Sequence, residues 1–404
     1  MNNKKVSPTW ILMSLAISAF AIGSTEFISV GIMPILTKTF NISLATGGLT
    51  VSIYAAGIMV GAPILTLITN RWSRKKLLIG IMVSFVIGNL IAAFAPTFGI
   101  LLLGRIITAL SHGIFMAIAS LIAADVVEPN KRASAIAVMF TGLTVATVTG
   151  VPLGTFIGQN INWRASFFFL VILGLIGLIT NIVLVPNNLP LPKPTNAKGL
   201  WKIIKQPELL LILIITALGY GATFPVYTYL TTILNKQMGW SESAIVIILI
   251  FYGVAVAIGN TMGGRLANNN PLKALLKMLV GLGVALILVR VTMNMHLLGL
   301  ISILIMGLFA FMNVPGLQLY IVQLAEKFTP NEISLASALN ISAFNVGITF
   351  GSSIGGQAVS ANQLVNTPWL GISMLVVGIV LIVVLQKMVS TNDMTPKDIE
   401  LENC

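Results

Sequence analysis

Charged side chains are scarce in this sequence, making up only 8% of its 404 residues. A soluble domain carries roughly 25% charged residues, so this chain cannot build an ordinary water-facing surface. Hydrophobic residues account for 56% instead. Because a helix needs about 20 consecutive apolar residues to cross a bilayer, the length predicts about a dozen membrane-spanning helices.

The residues that most often carry catalysis or bind metals are also rare. One cysteine, Cys404, cannot form an internal disulfide, and the two histidines, His112 and His296, show no metal-ligand spacing. No G-x4-G-K-[S/T] pattern occurs, so ATP is not the predicted energy source. The apolar runs contain no pair of acids, and the chain has only the two histidines, which argues against an intramembrane enzyme. We therefore expect a transporter without a cofactor, driven by the proton gradient and the membrane potential.

The apolar runs are separated by clusters of turn-forming or charged residues. They predict twelve spans, at residues 10–36, 44–69, 77–95, 98–124, 133–158, 164–185, 208–234, 243–266, 272–292, 295–324, 334–360 and 367–389.

The net charge of +12 follows the pattern expected of membrane topology. If the N-terminus is cytoplasmic, 18 basic residues fall in cytoplasmic segments and only 4 fall outside, which is the positive-inside bias. This arrangement predicts a multi-pass membrane protein with both termini in the cytoplasm. It also favours contact with the lipid bilayer over binding of nucleic acid.

The chain divides near its middle into two similar halves. Residues 186–207 hold five prolines and four lysines and are predicted to be a linker. Across it, Tyr54 matches Tyr252 and Gly61 matches Gly259, each at an offset of 198 residues. The predicted units are a six-helix bundle at 1–185, the cytoplasmic linker, a second bundle at 208–389 and a cytoplasmic tail at 390–404. Parallel repeats of this kind place a binding site between them near the bilayer midplane.

Two loops carry a family motif. Thr66–Lys76 resembles the loop 2–3 motif of the major facilitator superfamily, G-x-L-A-D-R-x-G-R-K, and Arg71, Arg74 and Lys75 match its basic positions. Gly264–Asn268 resembles the start of the same motif at the corresponding place in the second half. The resemblance implies the major facilitator fold, which is all-α, with 12 transmembrane helices in two pseudo-symmetric six-helix bundles.

In that family the loop motif latches the two halves together at the cytoplasmic face. Here Asn70 replaces the aspartate of the motif, which weakens the charge-to-helix-dipole part of the latch. Arg71 and Arg74 could still pair with Asp125 or Glu128. The alternative is that this basic stretch is only a topology signal.

The fourth predicted span contains a buried arginine. Placing Arg105 inside a membrane costs about 2.5–3.5 kcal/mol on insertion scales, so it needs a partner or a water-filled cavity. It resembles the motif-B arginine of the same superfamily. His112 lies two helical turns further on and shares its face, as does Met116.

Glu26 is the only carboxylate well inside a predicted span. Removal from water disfavours the charged form of a carboxylate, which suits a group that takes up and releases protons. The sequence therefore predicts Glu26 as the proton carrier, with Arg105 and His112 as proton-coupling partners. A structural ion pair between Glu26 and Arg105 is the alternative.

The fifth predicted span combines small residues with a proline. Gly142, Gly150, Pro152 and Gly154 resemble the antiporter motif of superfamily drug exporters, which goes with export rather than uptake. Close helix packing alone could also explain these glycines. With Ser24–Phe27 in the first span, the pattern is similar to drug:proton antiporter-1 type exporters, in the branch of arabinose-type, nucleoside and chloramphenicol efflux permeases.

The family's cavity-lining spans suggest candidate substrate contacts. They are aromatic side chains, amides and one methionine, a set that suits a neutral or mildly amphipathic ligand. The candidates are Tyr54, Met116, Phe140, Tyr220, Phe224, Tyr227, Tyr252, Phe311, Asn313, Gln318, Asn340, Phe344 and Asn345.

The resemblance implies a protein of the bacterial inner membrane, and we expect a monomer. Its predicted activity is proton-coupled export of drug-like compounds, sugars or nucleosides by alternating access. Proton symport for uptake of a small metabolite is the alternative.

Overall fold

The computed structural model of the chain describes residues 7–42, 44–69, 71–189 and 197–393. Within these ranges every regular element is a helix. Asn70, on which the weakened-latch hypothesis depends, lies outside the described residues, as do residues 190–196 of the predicted linker and the tail beyond 393.

The first half consists of six long helices. They are α1 (Pro8–Phe40), α2 (Leu44–Ile68), α3 (Arg74–Ala93), α4 (Phe98–Asp125), α5 (Arg132–Asn160) and α6 (Trp163–Leu184).

A short helix, α7 (Ala197–Lys205), lies within the predicted linker. The second half begins with α8 (Pro207–Gly221), α9 (Phe224–Tyr227), α10 (Leu230–Thr232) and a π-helical turn at Ile233–Gln237. It continues with α11 (Glu242–Ala267), α12 (Pro271–Thr292), α13 (His296–Ala310), α14 (Val314–Phe328), α15 (Ile333–Ser360) and α16 (Thr367–Asp393).

Eleven stretches of the described chain are long and apolar enough to cross a membrane. α2 supplies a shorter apolar stretch, Ile53–Ile68, at the position of the second predicted span. With this shorter stretch, the described residues hold twelve apolar helical segments, which is consistent with the predicted pair of six-helix bundles.

Two of the predicted spans are broken by proline. The span that begins with α8 is interrupted before Pro225, and the long span at 295–324 is interrupted before Pro315. A proline ring clashes with the carbonyl four residues earlier and lacks the amide proton that would continue the helix. Accordingly, α8 ends at Gly221 and α13 ends just before Phe311.

The two bundles repeat each other in packing as well as in sequence. A Cβ atom added to Gly61 would collide with Leu110, and one added to Gly259 would collide with Leu308. Both residues of the second contact lie 198 positions after their counterparts in the first. The same close helix crossing is therefore built twice.

Candidate functional site

A cavity opens between the two bundles. It encloses about 670 Å³, counted out to its open mouth. The first half contributes Glu26, His112, Met116, Phe140 and Leu143. The second half contributes Tyr220, Phe224, Tyr227, Phe311, Val314, Ile341, Phe344, Asn345 and Ile348.

Tyr220 is the centre of the aromatic wall in the second half. Its ring centroid lies 5.2 Å from that of Phe224, 5.2 Å from that of Phe311 and 5.0 Å from that of Phe344. Phe224 and Phe311 stand at the two proline breaks, where the interrupted helices turn their ends toward the cavity. Rings at these separations stabilise one another and form an apolar, polarisable surface for a ligand.

Glu26 is the one carboxylate among the residues that line this cavity. Its Oε2 atom lies 3.9 Å from Nδ1 of His112, and its side chain is 24% exposed. The same Nδ1 atom is 3.0 Å from the hydroxyl of Tyr54. A carboxylate, an imidazole and a phenol thus form a short series of groups that begins at the cavity and ends inside the first bundle.

Arg105 is buried behind this series and does not pair directly with Glu26. Its Nη1 atom donates to the Thr25 carbonyl at 2.5 Å, and its Nε atom donates to the Thr50 carbonyl at 3.2 Å. The guanidinium also lies 4.1 Å from the ring centroid of Tyr54. Within the described part of the chain, no acid lies within 4.0 Å of Arg105. The structure therefore does not show the direct Glu26–Arg105 ion pair considered from the sequence.

Most of the predicted contact residues lie around the cavity, but five do not line it. Tyr54 lies behind His112, and Tyr252 stacks behind Tyr227 with ring centroids 5.6 Å apart. The Asn313 amide donates to the Gly219 carbonyl at 3.3 Å. Asn340 and Gln318 are hydrogen-bonded to each other and to further buried side chains of the second half. Each of these side chains contacts other residues inside a bundle instead of lining the cavity.

Four apolar lining residues were not predicted, namely Leu143, Val314, Ile341 and Ile348. Ile341, Phe344, Asn345 and Ile348 lie at positions i, i+3, i+4 and i+7 of α15. That spacing marks one face of a helix. Extending the face outward from Phe344 and Asn345 would have identified both isoleucines.

One end of the cavity is closed by contacts between the halves. Arg132 and Glu326 form an ion pair at 3.4 Å. The Asn268 amide donates to the Ser134 hydroxyl at 2.7 Å, while its carbonyl accepts from the Ser134 backbone amide at 3.2 Å. We call this end of the molecule, defined by Ser134, Asn268 and the Arg132–Glu326 pair, the closed end.

The predicted gating residues of the basic loop lie at the same end. Arg74 is ion-paired with Asp125 at the end of α4, and Lys75 donates to the Ile182 carbonyl at 2.8 Å. Arg71 is exposed and makes no ion pair with a described residue. The hypothetical pairing with Asp125 is thus made by Arg74, and it links two helices of the first bundle.

The glycines of α5 show how this helix packs against α1. A Cβ atom on Gly142 would collide with the backbone of Ala16 and Phe20. Gly150 is also buried. Pro152 and Gly154 lie in α5, but their surroundings are outside the described part of the structure. The structure therefore shows close packing of α5 against α1 at Gly142.

Comparison with known proteins identifies the family. The profile of the Major Facilitator Superfamily matches residues 15–327. The chain belongs to the major facilitator superfamily. It is a membrane transporter rather than an enzyme, and its partners include a small-molecule substrate and the lipid bilayer.

Relatives within the superfamily are similar over nearly their whole length. YtbD of Bacillus subtilis (strain 168), named as an uncharacterized MFS-type transporter, is 51% identical over 371 residues, covering 92% of this chain and 93% of YtbD. The inner membrane transport protein YdhP of Escherichia coli (strain K12) is 36% identical, covering 87% and 89%.

Solved structures of the superfamily share the fold at low sequence identity. The human organic anion transporter MFSD10 superposes with a TM-score of 0.72 at 15% identity, covering 95% of this chain and all of that one. The proton:xylose symporter XylE gives a TM-score of 0.73 at 16% identity, covering 92% and 94%. These likenesses confirm the predicted fold class.

Proposed function

We propose that this transporter exports small organic molecules in exchange for protons, with Glu26 as the proton carrier. The observation that supports this most directly is the position of Glu26, the one carboxylate on the cavity wall of the described structure. A group there can meet both a proton and a substrate. Protonation of Glu26 then competes with substrate binding or releases the bound substrate.

The neighbours of Glu26 support a role in proton exchange. His112 and Tyr54 extend from the carboxylate into the bundle, and Arg105 lies beyond them without a direct contact to Glu26. Because Arg105 is held by main-chain carbonyls, it can influence the carboxylate electrostatically without blocking it. Proton coupling therefore requires no buried ion pair to break.

The aromatic wall indicates the substrate class. Phe224, Phe311 and Phe344 surround Tyr220, and an amide from Asn345 stands beside them. Rings with few polar groups bind flat or amphipathic molecules by contact area. Drug-like compounds, nucleosides or sugars are the candidates, and the exporter branch suggested by the α5 motif favours the same set.

We place the closed end at the cytoplasm, since it carries the basic loops that the positive-inside rule assigns there. Both termini are then cytoplasmic, and a bacterial inner membrane suits this orientation. In this arrangement the cavity is closed toward the cytoplasm. Alternating access requires that the Arg132–Glu326 pair and the Asn268–Ser134 contact separate to admit substrate from that side.

A thermal-shift screen of ethidium, chloramphenicol, uridine and arabinose first selects a probe that binds. The role of Glu26 is then tested by measuring transport of this probe by Glu26→Gln in proteoliposomes. Glutamine keeps the size of the side chain but cannot exchange a proton, so we expect a loss of proton-driven accumulation of at least about tenfold. Glu128→Gln is the matched control, because Glu128 is a surface acid paired with Lys131 and lies away from the cavity. Full accumulation by Glu26→Gln would contradict the assignment.

The direction of transport is tested in everted membrane vesicles. An exporter accumulates the probe when the vesicle lumen is acidified. A proton symporter for uptake gives no such accumulation and instead moves the probe outward together with protons. That outcome would replace export by the uptake alternative.

A further inference from the structure

Four polar side chains form a continuous hydrogen-bonded chain inside the second half. Thr216 of α8, Gln318 of α14, and Ser337 and Asn340 of α15 all have 0% exposure. The Thr216 hydroxyl lies 2.7 Å from Oδ1 of Asn340. Nδ2 of Asn340 lies 2.8 Å from Oε1 of Gln318, and Nε2 of Gln318 lies 2.8 Å from the Ser337 hydroxyl. We call these four residues the amide relay.

The relay ends on the other half of the protein. The Ser337 hydroxyl donates to the Ala117 carbonyl of α4 at 2.9 Å. Ala117 follows the cavity residue Met116, and Ser337 lies one turn before the cavity residue Ile341. The relay therefore crosses between the bundles directly beneath the cavity wall.

Every donor in the relay points the same way. A hydroxyl has one proton, and an amide has a donor end and an acceptor end. Thr216 gives its proton to Asn340, Asn340 donates to Gln318, Gln318 donates to Ser337, and Ser337 donates across the interface. The Ser337–Ala117 bond between the halves is thus the last step of an ordered series.

If the direction of the relay is reversed, each of its donors still has an acceptor, and none of these acceptors lies in the first half. The Thr216 hydroxyl also lies 2.8 Å from the Ile212 carbonyl of its own helix. If both amides turn over, Ser337 donates to Gln318, Gln318 to Asn340 and Asn340 to Thr216, while Thr216 donates to Ile212. The released Ala117 carbonyl keeps the backbone bond of its own helix. Separation then leaves no donor of the relay without an acceptor.

We infer that the amide relay is a two-state switch that holds the halves together in one direction and frees them in the other. This deepens the proposed function, since it rests on alternating access, but it does not depend on the direction of transport or on the proton. The four residues act as positioning residues, because they set where the Ser337 hydroxyl points. Thr216 lies one turn before Tyr220, so a ligand that shifts the aromatic wall acts at the start of the relay.

Two substitutions at opposite ends should move the equilibrium in opposite directions. Ser337→Ala removes the bond to Ala117. In the direction that joins the halves, it also leaves the N–H of the Gln318 amide without an acceptor. Thr216→Val leaves the N–H of the Asn340 amide without an acceptor only in the reversed direction, in which Asn340 donates to Thr216. An unsatisfied N–H costs more than an unsatisfied carbonyl. Ser337→Ala therefore favours the state in which the two halves are separated at the closed end, and Thr216→Val favours the state in which they are in contact there.

The measurement is double electron–electron resonance between spin labels at Lys76→Cys and Lys277→Cys. Both lysines are exposed near the closed end, one in each half, and Cys404→Ser removes the only native cysteine. In nanodiscs of phosphatidylethanolamine and phosphatidylglycerol, we expect the ratio of long to short distances to rise at least about fivefold in Ser337→Ala and to fall at least about fivefold in Thr216→Val.

Matched controls separate the relay from general packing. Ser111→Ala and Thr261→Val make the same chemical changes where the hydroxyl bonds only its own helix, and they should leave the ratio unchanged. Ser337→Thr and Thr216→Ser keep the hydroxyls and should restore the wild-type ratio. This rescue also answers the objection that a variant fails to fold.

The outcomes distinguish the inference from the proposed function. Shifts in the same direction, or no shift in either variant while the wild type shows two populations, would overturn the relay alone. A single distance that no variant and no pH changes would overturn both the relay and alternating access.

Discussion

Arg105 illustrates how a cation is accommodated inside the membrane without a neighbouring acid. Two main-chain carbonyls and the face of Tyr54 receive the guanidinium, which is 1% exposed. The planar fork of arginine matches this arrangement, since separate nitrogens reach separate carbonyls while the flat face covers a ring. The Thr25 carbonyl that Arg105 binds directly precedes Glu26, so Arg105 also positions the α1 segment that carries the proton-binding carboxylate.

Arg105→Lys should therefore impair transport even though the charge is kept. An ammonium group cannot reach both carbonyls and cover the ring, so we expect probe accumulation in proteoliposomes to fall by about tenfold. Arg105→Ala should reduce it further. Arg164→Ala is the matched control, because Arg164 also donates to a carbonyl, at 3.1 Å, and covers a ring, at 4.3 Å, but lies away from the cavity. Normal accumulation by Arg105→Ala would demote Arg105 to a packing role.

The crossing of α1 and α5 depends on the absence of a side chain at Gly142. There a Cβ atom would collide with the main chain of Ala16 and Phe20, which cannot move aside as a side chain can. The glycine spacing that resembles an antiporter motif is thus also a requirement of helix packing. The two readings are compatible, because a close crossing can both stabilise the bundle and direct its movement.

Gly142→Ala should destabilise the protein by about 1–3 kcal/mol, the usual cost of overpacking. Thermal unfolding in detergent, followed by tryptophan fluorescence, measures the change in Tm. Gly99→Ala is the matched control, since a Cβ atom at Gly99 in the first turn of α4 meets nothing within 4 Å. We expect its Tm to stay the same or rise slightly. Equal Tm values for the two variants would refute the packing explanation.

At the closed end, the two halves are held together by uncharged hydrogen bonds between Asn268 and Ser134 and by the Arg132–Glu326 ion pair. Asn268 accepts from the backbone amide of Ser134, which lies in the first turn of α5 in the other half. A side-chain oxygen at this place satisfies an otherwise unpaired helix amide. Because Asn268 is uncharged, it gains little from the positive end of the α5 dipole.

Asn268→Asp should strengthen closure by about 0.3–1 kcal/mol, since a carboxylate interacts better with a helix N-terminus. The spin-label pair at Lys76 and Lys277 should show a smaller open population, and the effect should weaken at about 1 M salt because exposed charges are screened. Asn270→Asp makes the same change at the cap of α12 within one half and should leave the distances unaltered. An open population that rises in Asn268→Asp would count against this account.

The sequence was sufficient to identify the membrane class and to predict the helix count and the duplication. These properties follow from local hydropathy and from a repeat offset, neither of which requires knowledge of packing. The predicted fourth span, 98–124, became α4 at Phe98–Asp125. The breaks at Pro225 and Pro315 were not predicted, and proline alone does not decide them, because Pro63 lies inside the unbroken α2. Glu26 could be singled out because it is the only acid well inside an apolar run.

Only the tertiary structure decided which polar groups face the cavity and which face each other. Asn340 and Asn345 lie in one helix and have the same side chain, yet Asn345 lines the cavity while Asn340 joins the amide relay. Likewise, Arg105 meets carbonyls of α1 and α2 rather than the acid that composition alone would have paired with it. The physical reason is that hydropathy places a residue in a span, whereas its partner depends on the rotation and depth of the neighbouring helices.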